Sequence, residues 1–242
     1  MSLPHFFLRE QVLAFESAPV FALHLDADDM KHAKVLRLAV GEQIAVVDAV
    51  SDYFECEVVS FEGDELSVSI AQKLSSCARP EVVLVQGLAK GEKMDTIVRH
   101  ATEVGIAEFV PMTTSRSVVK LDAKKSKARF ERWASIAKSA AMQSGRSSKP
   151  VVHAPCSVAG AVDIAKDCDA VLICWEEAEL SNTLAKAVSC CIAATGKDPR
   201  SLRIALVVGP EGGLTAQEVD LFLALPYAYS ISLGPSILRT ET

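Results

Sequence analysis

Gly209-Pro210-Glu211-Gly212-Gly213 is the segment of this chain whose residue types are best suited to holding a ligand. Its glycines allow close approach to the main chain, and the proline stiffens the turn. Residues 202–208 before it are apolar and β-branched, the composition of a strand buried on both faces. Thr215-Ala-Gln-Glu218 after it has capping-box spacing and predicts a helix from about Ala216. Strand, turn and helix start together place a backbone loop at the end of a parallel sheet, where open α/β folds bind ligands. Neither G-x-G-x-x-G nor G-x-x-x-x-G-K-[ST] occurs, so a dinucleotide or triphosphate cradle is not expected. A second loop of this type follows. Residues 229–233 alternate like a short strand and run into Gly234-Pro235-Ser236-Ile237-Leu238-Arg239-Thr240-Glu241-Thr242, so the two loops are expected to form two walls of one site.

Those loops need an α/β frame, and the texture from Glu81 onward supplies one. Strands are predicted at 82–86, 109–112, 151–153 and 170–174, before the run at 202–208. Helices are predicted at 92–104, ended by Gly105, at 126–145, at 157–165, and from Ser181. Alternation of this kind argues a parallel sheet covered by helices on both faces. Residues 1–72 read differently, as a small β-rich domain. Strands are expected at 21–25 and 43–49, and a hairpin at 53–61 and 65–71 turns at Gly63-Asp64. A short helix capped by Asp28 carries Met30, Ala33, Val35 and Leu36, with Lys31, His32, Lys34 and Arg37 on its polar side. A small barrel with an inserted helix fits, and such barrels commonly host RNA. Residues 73–80 are the expected linker.

At 242 residues, 50% hydrophobic and 23% charged, the chain has globular composition and length for one or two domains. No apolar run is long enough to span a bilayer, and the N-terminus lacks the pattern of a signal peptide. Seven cysteines without C-x-x-C spacing suggest reduced thiols and a cytoplasmic location. Five scattered histidines argue against a metal site. The net charge of −6 is unevenly spread. Residues 1–72 hold four Lys/Arg against thirteen Asp/Glu, whereas residues 114–149 hold ten Lys/Arg against only Asp122 and Glu131. A local excess of that size on an acidic protein points to a polyanion, and RNA is the expected partner.

The succession GPEGG then LGPSILRTET resembles the RsmE family, SPOUT-class enzymes that methylate N3 of a uridine in small-subunit ribosomal RNA. His32-Ala-Lys-Val-Leu-Arg37, Lys90-Gly-Glu-Lys-Met-Asp95, Glu103-Val-Gly105, Ser115-Arg116-Ser117, Gln143-Ser-Gly-Arg146 and Trp175-Glu176 also match its pattern, so the resemblance covers nearly the whole chain. It implies an N-terminal PUA-like β-barrel that binds RNA, at 1–72, and a SPOUT α/β domain at 81–242 with a C-terminal trefoil knot. It further implies a homodimer and 16S ribosomal RNA as partner, in an assembled small subunit. The family normally carries a helix after ILRTET, and this sequence ends at Thr242, where that helix would start: either the sequence is incomplete or the knot lacks its last element, and weaker cofactor binding and dimer packing are expected without it. Met142 stands where glutamate is frequent, Ser236 where arginine is, and His5 likewise where arginine is.

On that resemblance the cofactor is S-adenosylmethionine, held by Trp175, Glu176, Gly209, Glu211, Gly212, Gly213, Leu233, Gly234 and Leu238. Transfer of a methyl group to uracil N3 is an in-line displacement that depends on positioning. Loss of the imide proton leaves negative charge on O2 and O4, which a fixed cation stabilises. Arg239, Arg146 and Arg116 are the candidates, each also readable as an ion pair or backbone contact. Glu103 and Glu241 are the candidates for the proton acceptor, each also readable as a helix-end or loop hydrogen bond. Candidates for RNA contact are Lys34, Arg37, Lys90, Arg116, Lys124, Lys125, Lys127, Gln143 and Arg146. The competing readings are a SPOUT methyltransferase for transfer RNA or ribose 2′-OH, and a non-catalytic RNA-binding protein.

Overall fold

Residues 53–74 alternate apolar and polar side chains, and they form the long hairpin on which the N-terminal sheet is built. The computed structural model describes residues 3–74, 79–236 and 238–242. The chain divides into two units, Met1–Cys77 with Ser139–Lys149, and Ala78–Lys138 with Pro150–Thr242. Part of the expected linker, residues 75–78, lies outside the described residues.

In the first unit the strands are His5–Phe7 (β1), Phe21–Ala22 (β2), Gln43–Val47 (β3), Tyr53–Glu62 (β4) and Glu65–Leu74 (β5), in the order β1-β3-β4-β5-β2. β1 pairs parallel with β3, and the other pairs are antiparallel. Ile44, Val46, Phe54, Cys56, Val58, Leu66 and Val68 face one core with Phe6 and Leu13. The helix Ala27–Leu36 (α1) is capped by Asp26, whose carboxylate accepts from the Asp29 amide, two residues before the expected cap at Asp28. Of its apolar residues Ala33 enters the core, whereas Val35 is 71% exposed. The strand expected at 21–25 stops at Ala22, because Leu25 already turns back to donate to the Leu23 carbonyl.

His5, absent from the expected strands, sits in β1 with its ring 4.9 Å from that of Phe7 and 5.4 Å from that of Tyr53. It is buried, and neither ring nitrogen has a partner among the described residues. Burial pushes its pKa down to about 4. The unfolded chain therefore takes up a proton near pH 6.5 that the folded chain refuses until about pH 4, so stability falls as pH drops between those values. The loss should reach about 3 kcal/mol at its fullest. Denaturant unfolding at pH 7 and pH 4.5 should show most of it, and His5→Phe should remove it. An undiminished pH dependence in that variant would assign the loss to carboxylates instead.

The second unit runs Glu81–Gly87 (β6), Lys93–Val104 (α2), Glu108–Thr113 (β7), Ala123–Gln143 (α3), Val151–Val152 (β8), Cys156–Ser157 (β9), Val158–Ala165 (α4), Ala170–Cys174 (β10), Leu184–Thr195 (α5), Arg203–Val208 (β11), Ala216–Leu223 (α6) and Ala228–Ile231 (β12). The last turn of α3 falls in the first unit, where Ala141 and Met142 pack against Phe7, Val47 and Tyr53. The sheet is parallel, in the order β12-β10-β11-β6-β7-β8, with β9 also on β7. Its strands are apolar on both sides, which is why they read as continuous runs. Val83, Val85, Val171, Ile173, Ala205 and Val207 face α4 and α6, through Ala161, Val219 and Phe222. Leu84 and Phe109 face α2 and α3, through Ile97, Val98 and Trp133, while Leu172 meets Ala187 of α5. The helix expected from Ser181 starts after Thr183, whose hydroxyl caps it.

Candidate functional site

β11 enters the sheet between β6 and β10, so chain leaving β6 runs to one side of the sheet and chain leaving β11 to the other. A crevice opens at the carboxyl ends of strands where connections diverge in this way. The predicted site segments gather at that edge: Trp175-Glu176 follows β10, Gly209–Gly213 follows β11, Leu233-Gly234 follows β12, and Ser115–Ser117 follows β7.

The glycine loop is built by close approach of main chain. Gly213, at φ 70°, donates its amide to the Pro210 carbonyl at 2.9 Å. A Cβ on Gly87, at the end of β6, would lie 2.5 Å from Pro210 N, and one on Gly209 would lie 2.9 Å from the Gly213 carbonyl carbon. Thr215 and Glu218 form the expected capping box at the start of α6. Glu218 also accepts from the Ser115 amide at 2.7 Å, tying the loop after β7 to the same helix end. Burial raises the Glu218 pKa, but the amides of Thr215 and Ser115 outweigh it and hold the carboxyl below its ordinary range.

Arg116 completes this wall. Its Nη1 donates to the carbonyls of Gly212 at 2.9 Å and Leu214 at 3.2 Å, and lies 3.8 Å from Glu176. The guanidinium anchors the glycine loop, which makes Arg116 a poor candidate for stabilising charge on a substrate. Glu176 presents its carboxylate to Gly213, where a Cβ would meet Oε1 at 2.3 Å. The neighbouring Trp175 keeps a buried indole N–H with no hydrogen-bond partner among the described residues.

Gly87 and Gln86 lie outside the motifs read from the sequence, and Lys93, Glu218 and Thr240 lie inside them without having been named as site residues. Gln86 is 1% exposed in β6 and donates Nε2 to Thr240 Oγ1 at 2.9 Å and to the Gly209 carbonyl at 3.3 Å. Thr240 Oγ1 donates to the same Gly209 carbonyl at 2.7 Å. A glutamine inside an apolar strand was the available signal, since a buried amide must find partners. At the rim, Lys93 pairs with Glu211 at 3.1 Å and Glu241 at 3.3 Å, and Glu211 accepts from the Lys90 amide at 3.0 Å. Burial pushes the Glu211 pKa up, yet its own and the Lys90 amide and the Lys93 ammonium outweigh this and hold it low. Its own amide and Lys93 hold the Glu241 carboxyl low as well. Carboxylates held this acidic are weak proton acceptors, and both serve here as anchors.

The remaining candidates divide by position. Arg239, Leu238, Leu233 and Gly234 are exposed on the loop after β12; Ile237 lies outside the described residues. Glu103, a candidate proton acceptor, lies apart from these segments. It lies in the last turn of α2, where Ala107 donates to Val82 at the start of β6, at the opposite sheet edge and about 15 Å along the helix from its beginning. Lys124, Lys125 and Lys127 are exposed on the first turns of α3, with Lys125 3.4 Å from Asp122 and Lys127 4.0 Å from Glu131. Arg132 of the same basic stretch is instead committed to buried Asp95, at 2.9 Å. Gln143 and Arg146 belong to the first unit, as do Lys34, paired with Asp64, and Arg37, the left-handed C-cap of α1. No group of three or more metal-ligating side chains occurs among the described residues, and none of their helices is long and apolar enough to cross a membrane.

The sequence model of the RNA methyltransferase domain matches residues 77–242. The chain is 34% identical over 230 residues to the ribosomal RNA small subunit methyltransferase E of Bacillus subtilis, covering 94% of this chain and 87% of that protein. It is 31% identical over 224 residues to the protein of the same name from Mycobacterium bovis, covering 90% and 81%. Among solved structures it is similar to a putative methyltransferase of Legionella pneumophila in complex with bound S-adenosylmethionine, with a TM-score of 0.77 at 25% identity, covering 100% of this chain and 93% of that one.

Proposed function

The chain belongs to the ribosomal RNA small subunit methyltransferase E family, and we propose that it transfers the methyl group of S-adenosylmethionine to N3 of a uridine in 16S ribosomal RNA. The observation that carries this reading is the convergence of three strand-end loops at one sheet edge, packed so closely that side chains are excluded at Gly87 and Gly209. That cradle of bare main chain fits an adenosyl group held by backbone amides at Gly209, Gly212 and Leu233, with Glu176 within reach of ribose hydroxyls. The buried Trp175 N–H supplies an unused donor beside it. The cofactor supplies an electrophilic methyl group. The protein's part is to align it with N3, keep water out, and balance the charge left on O2 and O4 when the imide proton departs. Arg239 suits the last task, since its guanidinium is 82% exposed and no closer than 3.9 Å to the Glu241 carboxylate.

The trefoil knot, the pairing of two copies, and a barrel role for the first unit's sheet belong to the same reading. Purified protein incubated with methyl-labelled S-adenosylmethionine and small-subunit RNA, followed by nucleoside analysis, tests it: 3-methyluridine is expected. Label on another position would redirect the specificity, and cofactor binding without transfer to any RNA would favour a non-catalytic protein.

On the RNA side, Lys124, Lys125 and Lys127 are assigned to phosphate contact, with Lys34, Arg37, Lys90, Gln143 and Arg146 as further contacts. Replacing the three lysines with glutamine should weaken RNA binding and flatten the plot of log affinity against log salt by about two to three units. An unchanged slope would place the RNA elsewhere.

A further inference from the structure

We propose that Gln86 is a positioning residue for the cofactor site, a buried amide that locks the terminal segment 238–242 onto the glycine loop. This rests on the cofactor reading above and names a residue outside the glycine-rich loops. Gln86 lies on β6, paired with Val208 immediately before Gly209. Its Nε2 reaches the carbonyls of Gly87 and Gly209 and the hydroxyl of Thr240. Thr240 in turn donates to Gly209, so amide, hydroxyl and carbonyl close a three-membered ring of hydrogen bonds. One strand thereby fixes two loops that α6 and β12 separate in sequence.

Position in the interior sets the strength of this lock. A hydrogen bond at a nearly inaccessible group is shielded from water, and its loss strands a carbonyl that must then be desolvated without its full complement of donors. The parallel link at the rim, Lys93 to Glu211 and Glu241, is partly open to solvent, with Lys93 34% exposed, and is screened by salt. Gln86 therefore governs loop placement at every ionic strength, and Lys93 contributes at low salt alone. Thr240 is the only hydroxyl in the ring, and a methyl group in its place removes both the donor to Gly209 and the acceptor for Gln86.

The test compares wild-type protein with Gln86→Met, Thr240→Val, Thr240→Ser and the Gln86→Met/Thr240→Val pair. S-adenosylmethionine affinity is read by calorimetry, exchange of the 238–242 amides by mass spectrometry, and folding by the thermal midpoint. Gln86→Met and Thr240→Val should each weaken binding about tenfold and speed exchange of the terminal segment. The double variant should be little worse than either, and Thr240→Ser should restore affinity. Wild-type affinity and protection in Gln86→Met, or fully additive effects in the pair, would overturn the proposal. Should Gln86→Met fail to fold, Thr240→Val against Thr240→Ser decides: equal affinities refute the ring. A wild-type protein that binds no cofactor while Gln86→Met still frees the terminal segment would sink the cofactor reading and leave the lock standing.

Discussion

Gly87→Ala should weaken S-adenosylmethionine binding by about a hundredfold or more, although Gly87 belongs to neither glycine-rich loop. Its new Cβ would lie 2.5 Å from both N and Cδ of Pro210 and 2.9 Å from the Gly209 carbonyl carbon. These are main-chain and ring atoms, which cannot rotate aside, so the whole GPEGG turn must move away from β6. Displacements of about an ångström at a site that works by alignment cost orders of magnitude. Gly213→Ala provides the contrast. Its Cβ would meet the end of the Glu176 side chain, which is half exposed and free to swing away. What remains is the strain of a side chain at φ 70°, about 1–2 kcal/mol. Calorimetry should rank Gly87→Ala far below Gly213→Ala while both keep the wild-type circular dichroism spectrum. Equal affinities in the two variants would mean that the loop tolerates displacement, and the close packing beneath it would lose its significance.

The second large effect is expected at Arg239. Arg239→Ala should lower methyl transfer to small-subunit RNA by about a hundredfold, the typical result of removing one fixed donor from a developing charge. Cofactor affinity should stay at the wild-type value. The separation follows from geometry: Arg239 is largely exposed and 3.9 Å from Glu241, a pair too open to anchor its loop. Thr240, Gln86 and Lys93 do that work from below and beside it. A labelled-transfer assay and calorimetry on one preparation distinguish the roles. Joint loss of affinity and turnover would make Arg239 an anchor and pass the charge-stabilising role to Arg146.

The alternation of strands and helices after Glu81 was legible because the central strands are largely apolar runs and several helix starts carry a local cap, as at Ser157, Thr183 and Thr215. Thr215 and Glu218 are three residues apart, so their capping box needs no knowledge of the rest of the chain. Contacts between distant segments left no such trace. Glu218 also holds Ser115, and Gln86 holds Gly209 and Thr240, across separations that no window spans. The charge of Arg116 was evident, but its partners are carbonyls, which every residue possesses and which mark nothing in a sequence. Glu103 shows the opposite error. Reading Lys90 to Gly105 as one segment kept it beside the loops, whereas a twelve-residue helix carries the chain to the other sheet edge. β8 matches the short strand expected at 151–153, whereas β9, at two residues, is too short for any period to register.

The place of β11 in the sheet also bears on how the protein is made. β6 and β10 are both synthesised well before β11, yet neither can complete its hydrogen bonding until β11 arrives between them. Arg203 meets Glu81 across 122 residues of chain. Pairing over so long a separation is slow to nucleate, and during translation the two central strands wait with open edges and apolar faces. The nascent chain is thus most prone to association in the interval between synthesis of β10 and of β11. Because the ligand crevice needs β11 in place and the loop after β12 beyond it, a cofactor that binds there recognises only chains in which both have assembled, and its binding withdraws them from the unfolding equilibrium.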